Sequence, residues 1–152
     1  MEIRPAREQD QTAITTMIRR AGLNPAGLRW PRFMVAEQDG QVVGVAQVRV
    51  HPDGARELAS LAVASRFRGN GVATRLVNAV LQDQTSEVYT LIDRPFVYHF
   101  QRWGFERVDA AQLPRSVRRV YRIGRVVTTL ASIAARRRIR IVPLRRSIAS
   151  PM

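Results

Sequence analysis

Apolar residues repeat along this chain with two different periods, and the switches between them outline its elements. Glu2–Ala6 reads as a short opening strand. Over Glu8–Ala21 the positions Ala13, Ile14, Met17, Ile18 and Ala21 fall at helical spacing, with Asp10 placed to cap that helix. Gly22, Asn24, Pro25 and Gly27 break the pattern, and a short second helix or turn runs through Leu28 and Trp30. The period then falls to two. Phe33–Glu37, Gln41–Val50 and Arg56–Val63 read as strands joined by turns at Asp39-Gly40 and at His51-Pro52-Asp53-Gly54. Val72, Ala73, Leu76, Val77 and Val80 return to a helical stripe within Gly71–Leu81. A strand Val88–Ile92, a helix Pro95–Arg102, a strand Phe105–Val108, an amphipathic helix Pro114–Ile123 and a last strand Val126–Leu130 follow. The order β-α-α-β-β-β-α-β-α-β-α-β predicts an α+β domain over residues 1–130, a mixed sheet with helices on its faces. Residues 131–152 read as an Arg-rich extension outside the core.

Composition narrows the chemistry. All 25 basic residues are Arg, against 12 acidic ones, and there is no Cys. That removes disulfides and cysteine-ligated metal. His51 and His99 are the only histidines, so no metal site is expected. The N-terminus lacks the apolar core of a signal peptide. The longest weakly polar run, Val126–Ala135, is about half the ~20 residues of a membrane span. A cytoplasmic location is the expectation. Charge is uneven: residues 1–109 carry 14 Arg and 12 acids, residues 110–152 carry 11 Arg and no acid. The C-terminal quarter is either an anion-binding segment, for nucleic acid, an anionic membrane or an acidic partner, or solvated charge from an Arg-preferring genome.

The most informative stretch is Leu58–Leu76. A strand ends at Val63, a loop carries Arg66 and Arg68, and Gly69-Asn70-Gly71 opens an amphipathic helix. The first helical turn has backbone N–H groups without intrahelical partners and a positive dipole end. Glycines let main chain approach a phosphate, and Arg68 adds a planar charged fork. The plain alternative is a glycine-rich turn before an ordinary helix.

Arg68-Gly69-Asn70-Gly71-Val72-Ala73 resembles the R/Q-x-x-G-x-G/A signature of the GNAT acetyltransferase superfamily. His99-Phe100-Gln101-Arg102-Trp103-Gly104-Phe105 resembles that family's second signature, an aromatic helix ending in G-F. The resemblance covers about residues 1–130. From Phe100 on, and over Arg56–Val63, the chain is similar to the acetyltransferase domain of N-acetylglutamate synthases. It implies a GNAT fold of about seven strands, mostly antiparallel, with the fourth and fifth splayed. It also implies acetyl-CoA as acetyl donor, its pyrophosphate held by Arg68, Gly69, Asn70, Gly71, Val72, Ala73 and Thr74. The pantetheine arm would run along the main chain of Leu61, Ala62 and Val63, with an N–H near Leu61 as oxyanion donor.

Acetyl transfer to an amine requires the amine to be neutral. Glu57, at the start of the fourth strand where many family members place a carboxylate, is the general-base candidate; the alternative is an exposed glutamate paired with an Arg. The family tyrosine that protonates the thiolate is Phe100 here, so that role does not carry over, and Tyr98 faces elsewhere on a helix. His51 and His99 read as surface or capping residues. Arg125 aligns with a synthase arginine that takes the glutamate carboxylate just before the last strand. Arg29 and Arg32 lie in a loop where those enzymes also meet substrate. Trp30, Phe33 and Trp103 read as packing residues. The leading expectation is N-acetylation of a small-molecule amine, such as an amino acid like glutamate. Open alternatives are a protein or polyamine acceptor, and a non-catalytic CoA-binding module with a basic tail. A homodimer is also open.

Overall fold

The computed structural model describes residues 1–135 and 137–148. Seven strands follow the order β1-β2-β3-β4-β5-β7-β6 in one sheet: β1 Glu2–Pro5, β2 Phe33–Gln38, β3 Gln41–Val50, β4 Arg56–Val63, β5 Val88–Asp93, β6 Phe105–Arg107 and β7 Ile141–Arg146. Four helices accompany them: α1 Gln11–Arg20, α2 Val72–Leu81, α3 Val97–Gln101 and α4 Arg115–Ala135. The expected α+β layout is present. The expected second helix reduces to a single 3-10 turn at Trp30–Arg32. The chain divides into two compact units, Met1–Arg49 with Leu58–Gln84, and Val50–Glu57 with the chain from Thr85 on.

In the first unit β1 pairs with β2 and β2 with β3, all antiparallel. The β2–β3 turn places Asp39 and Gly40 both at positive φ, the conformation that hairpin turn requires. Ile14 and Ile18 of α1 pack with Phe33, Val35, Val45 and Ala62. Burial of such a side chain is worth roughly 1.5–3 kcal/mol. Successive strand residues point to opposite faces, so Gly44 faces away from that cluster. A Cβ built on Gly44 would lie 2.9 Å from Leu76 Cδ1 and 3.0 Å from Val72 Cγ1. Thus α1 covers one face of β3 and α2 the other. The bare strand at Gly44 lets α2 seat closely.

Asp10 is not a simple cap. Its carboxylate receives the Arg7 N–H at 2.7 Å and two guanidinium nitrogens of Arg4, at 2.8 and 3.1 Å, and gives α1 no cap bond. Arg4 is 6% exposed and Asp10 5%. Arg4 also bonds Glu37. Its guanidinium holds the Asp10 carboxyl below the usual carboxylate range.

In the second unit β5 and β6 both pair antiparallel with β7. Tyr89, Leu113 and Val117 form its buried cluster. The N-terminus of α4 is held by a distant residue: Ser116 N–H and Oγ–H both donate to the Asp53 carboxylate, at 3.1 and 2.7 Å, which lowers the pKa of Asp53.

The C-terminal quarter differs from the sequence expectation. The expected last strand, Val126–Leu130, lies inside α4, and the boundary expected at residue 130 falls within that helix. The last strand is Ile141–Arg146, in the stretch read as an extension, and its Leu144 is fully buried. Two β-branched pairs, Val126-Val127 and Thr128-Thr129, suggested strand. Helix wins because the apolar period continues past Ile123. The hydroxyls of Thr128, Thr129 and Ser132 also settle on carbonyls of the preceding turn, donating to Gly124, Arg125 and Thr128 at 2.8, 2.7 and 2.6 Å. Residue 136 and residues 149–152 of the expected extension lie outside the described residues. Among the described residues no helix is long and apolar enough to cross a membrane.

Two outcomes test this packing. Asp10→Asn leaves Arg4 buried with a weakened partner and costs about 3 kcal/mol in denaturant unfolding. Because the folded Asp10 pKa is lowered, its contribution is complete above the unfolded carboxylate value near 4 and fades as pH falls through the folded one. The denaturant midpoint of the variant therefore falls less on acidification than that of the parent. Gly44→Val overpacks the α2 contact and lowers stability by about 2 kcal/mol. An unchanged melting temperature would contradict the seating of α2.

Candidate functional site

The loop that opens α2 is built as the sequence suggested. A 3-10 turn, Ser65–Phe67, carries the chain from β4 to Arg68. Gly69 and Gly71 both take positive φ, 79° and 74°, and nothing lies within 4 Å of where their Cβ atoms would be. Such backbone favours glycine, and the open space lets a bulky anion reach the amides. Gly71 is the N-cap residue of α2 and gives it no side-chain bond; the first turn holds no acidic residue. No acidic side chain of the helix's own first turn offsets its positive end. Arg68 is exposed, and its Nε–H donates to the Val63 carbonyl at 3.0 Å, which ties the loop to the end of β4. Asn70 is exposed, Ala73 and Thr74 are half-buried, and Val72 turns its side chain into the core. Val72 therefore has only main chain to offer a ligand.

Along β4, Leu61 and Val63 are half-buried and Ala62 is buried. Ser60 sits in the middle of the strand with φ 56°. A strand residue in the left-handed region is a bulge-type irregularity that re-aims neighbouring main-chain groups. Gln47 Nε2–H donates to Ser60 Oγ at 2.9 Å and fixes this kink. Nothing in the sequence around Ser60 announces it.

The loop after α1 is pinned from two sides. Gln11 donates to the Leu28 carbonyl at 2.6 Å and accepts the Trp30 N–H at 2.9 Å. Arg49 Nη2 donates to the Ala26 carbonyl at 2.7 Å. Arg29 and Arg32 are exposed on this loop. Gln47 Oε1 and Arg49 Nε, two residues apart on one face of β3, are buried without a partner. None of Gln11, Gln47 and Arg49 was singled out in the sequence; each is a polar residue at an ordinary position, visible only by its burial.

In the second unit Glu57 is 5% exposed. Its Oε2 lies 2.7 Å from His51 Nε2, and the His51 side chain is 9% exposed. This corrects two readings: Glu57 is not an exposed glutamate paired with Arg, and His51 is not a surface residue. The turn His51-Pro52-Asp53-Gly54 brings them together, with His51 N–H donating to the Ala55 carbonyl at 2.8 Å. A carboxylate facing Nε2 favours the tautomer that carries its proton there and leaves Nδ1 free to accept.

Phe100 is 7% exposed, its ring edge-on to Trp103 and Phe105, so it packs. Tyr98 is 76% exposed. Arg125 is exposed in mid-helix, its guanidinium 5.8 Å from the Tyr121 ring. It does not precede a strand. The arginine directly before β7 is Arg140, whose N–H donates to Asp93 Oδ1 at 2.9 Å; Arg137 pairs with the same carboxylate at 3.2 Å. Among the described residues no cluster could hold a metal ion.

Comparison with known proteins agrees with this geometry. The profile of the acetyltransferase (GNAT) family matches residues 4–105. Human N-acetylaspartate synthetase is 41% identical over 61 residues, 40% of this chain and 20% of that protein. An uncharacterised N-acetyltransferase of Chlorobaculum tepidum is 32% identical over 90 residues, 56% of each. The matches thus span well under two thirds of these relatives. Among solved structures, N-acetylglutamate synthase of Neisseria gonorrhoeae, complexed with coenzyme A and N-acetyl-glutamate, aligns with a TM-score of 0.74 at 22% identity, covering 98% of this chain and 35% of that one. A Mycobacterium tuberculosis protein in complex with CoA gives 0.73 at 23% identity, covering 98% and 100%. The last two likenesses are of fold. On the family match over two thirds of its length, the loop of left-handed glycines and the strand order, the chain belongs to the acetyltransferase (GNAT) family.

Proposed function

We propose that this protein moves an acetyl group from acetyl-CoA to the primary amine of a small molecule, an amino acid such as glutamate. The observation that carries the reading is the Arg68–Ala73 loop, with its two left-handed glycines and the uncapped N-terminus of α2. Its amides would take the pyrophosphate, and Arg68 would add charge at the rim. The main chain of Leu61, Ala62 and Val63 would receive the pantetheine arm. The kink at Ser60 supports an N–H near Leu61 as the donor to the carbonyl oxygen.

Glu57 is the proposed base. It takes the amine proton itself or orients His51, whose second ring nitrogen then accepts it. The acceptor's carboxylate calls for a cation to receive it. Arg29 and Arg125 are the arginines carried by resemblance. Arg140 now holds the position ahead of the last strand, and we assign it the side-chain carboxylate in preference to Arg125. Its salt link to such a group would be bidentate in the ideal case.

Release of free thiol from acetyl-CoA, measured against a panel of amino acids and amines, tests the activity; no release with any acceptor refutes it. Glu57→Gln lowers kcat by roughly 10²–10⁴-fold while CoA affinity and melting temperature stay. His51→Gln lowers kcat at unchanged CoA affinity if the hydrogen-bonded pair works as one unit. Gly71→Val, at positive φ beside the phosphate position, weakens CoA binding by at least about tenfold in calorimetry. Full CoA affinity in that variant would remove the loop from the site.

A further inference from the structure

We propose that α4 carries a docking surface for anionic lipid. The sequence left the whole Arg-rich quarter from residue 110 open to anions; within it, α4 exposes a defined apolar face. Ile123, Val126, Val127, Leu130 and Ile133 are 56, 62, 57, 64 and 73% exposed. Their spacing puts them within roughly a 120° arc at 100° per residue, a stripe about 15 Å long. The core-facing side of α4 is a different arc. Val117 is fully buried there, Tyr121 packs on the same cluster, and Gly124 lies against Ile141. The stripe is therefore not the back of a core contact.

Arginines continue the stripe toward the start of α4: at 100° per residue Arg115 and Arg119 fall on the same arc, Arg122 falls roughly 20° outside it and Arg125 roughly 80° outside it. Arg115, Arg119, Arg122 and Arg125 are exposed and make no ion pair among the described residues. Arg118, by contrast, is consumed inside the fold: it donates to the carbonyls of Ala110, Ala111 and Leu113. Residues 110–152 contain no acidic side chain.

Those charges select the occupant. A second copy laid on the same face brings Arg rows together with no carboxylate between them. A nucleic acid satisfies the arginines and leaves five aliphatic side chains in water. An anionic bilayer satisfies both, with the aliphatic stripe among the upper acyl chains and the guanidinium groups at the headgroup phosphates. The helix lies on such a surface and does not cross it.

Co-sedimentation of the full chain with vesicles tests this. The expected result is binding to phosphatidylglycerol-containing vesicles, weak binding to pure phosphatidylcholine, and loss of binding as salt rises. V126D/L130D abolishes binding to both. R119Q/R122Q weakens binding to the anionic vesicles by roughly tenfold. All four sites are exposed, so circular dichroism melting should match the parent. The proposal is overturned by any of three results: no vesicle binding by the parent chain, a concentration-dependent dimer in light scattering that V126D/L130D dissolves, or salt-sensitive DNA binding that V126D/L130D leaves intact.

Discussion

The close approach of α2 to β3 at Gly44 is the constraint on which the glycine loop at the start of α2 rests. Leu76 and Val72 come within 3.0 Å of where a Cβ would stand. Only a strand without a Cβ at that point lets the helix lie so near. The seat fixes the axis of α2, and the axis fixes where its first-turn amides aim. Gly69 and Gly71 then shape the entry without crowding it. One missing side chain in the sheet and two left-handed glycines in the loop act together, though they lie more than twenty residues apart in sequence.

Much of this was legible beforehand, for reasons tied to particular residues. Valine-rich alternation gave β3. The Asp39-Gly40 dipeptide gave the hairpin. The run Arg68–Ala73 gave the loop of left-handed glycines, because glycines needing positive φ are punctuation that sequence carries openly. The polar interior was not legible. That Glu57 meets His51, and that Gln47 props Ser60 in a left-handed kink, depends on burial and on strand position. Composition does not report either. An isolated glycine in a valine strand was a signal that could have pointed to Gly44.

The C-terminal quarter shows the opposite failure. There local signals were strong and misleading. β-branched pairs suggested a strand where hydroxyl back-bonding and a continuing apolar period keep a helix. Arginine density suggested solvated tail where β7 runs. Pro143 adds to the disguise, since proline in a paired strand is unusual. It is tolerated because β6 pairs only with residues 144–146, so no ladder partner on that side needs its missing N–H. The Val108 N–H donates to its carbonyl at 3.2 Å.

The place of β7 in the sheet has a consequence for assembly in time. β5 and β6 come earlier in the chain, yet both take β7 as their antiparallel partner. Until residue 146 has emerged from a ribosome, β6 has no mate for its three residues and β5 presents an open edge. Such contacts, distant in sequence, form late and slowly. The second unit therefore passes through synthesis as an unfinished sheet with the β5 edge unpaired, a state in which chaperone capture or strand exchange with a neighbouring chain competes with folding. The first unit has no such delay: its hairpin and both its helices are complete by residue 84.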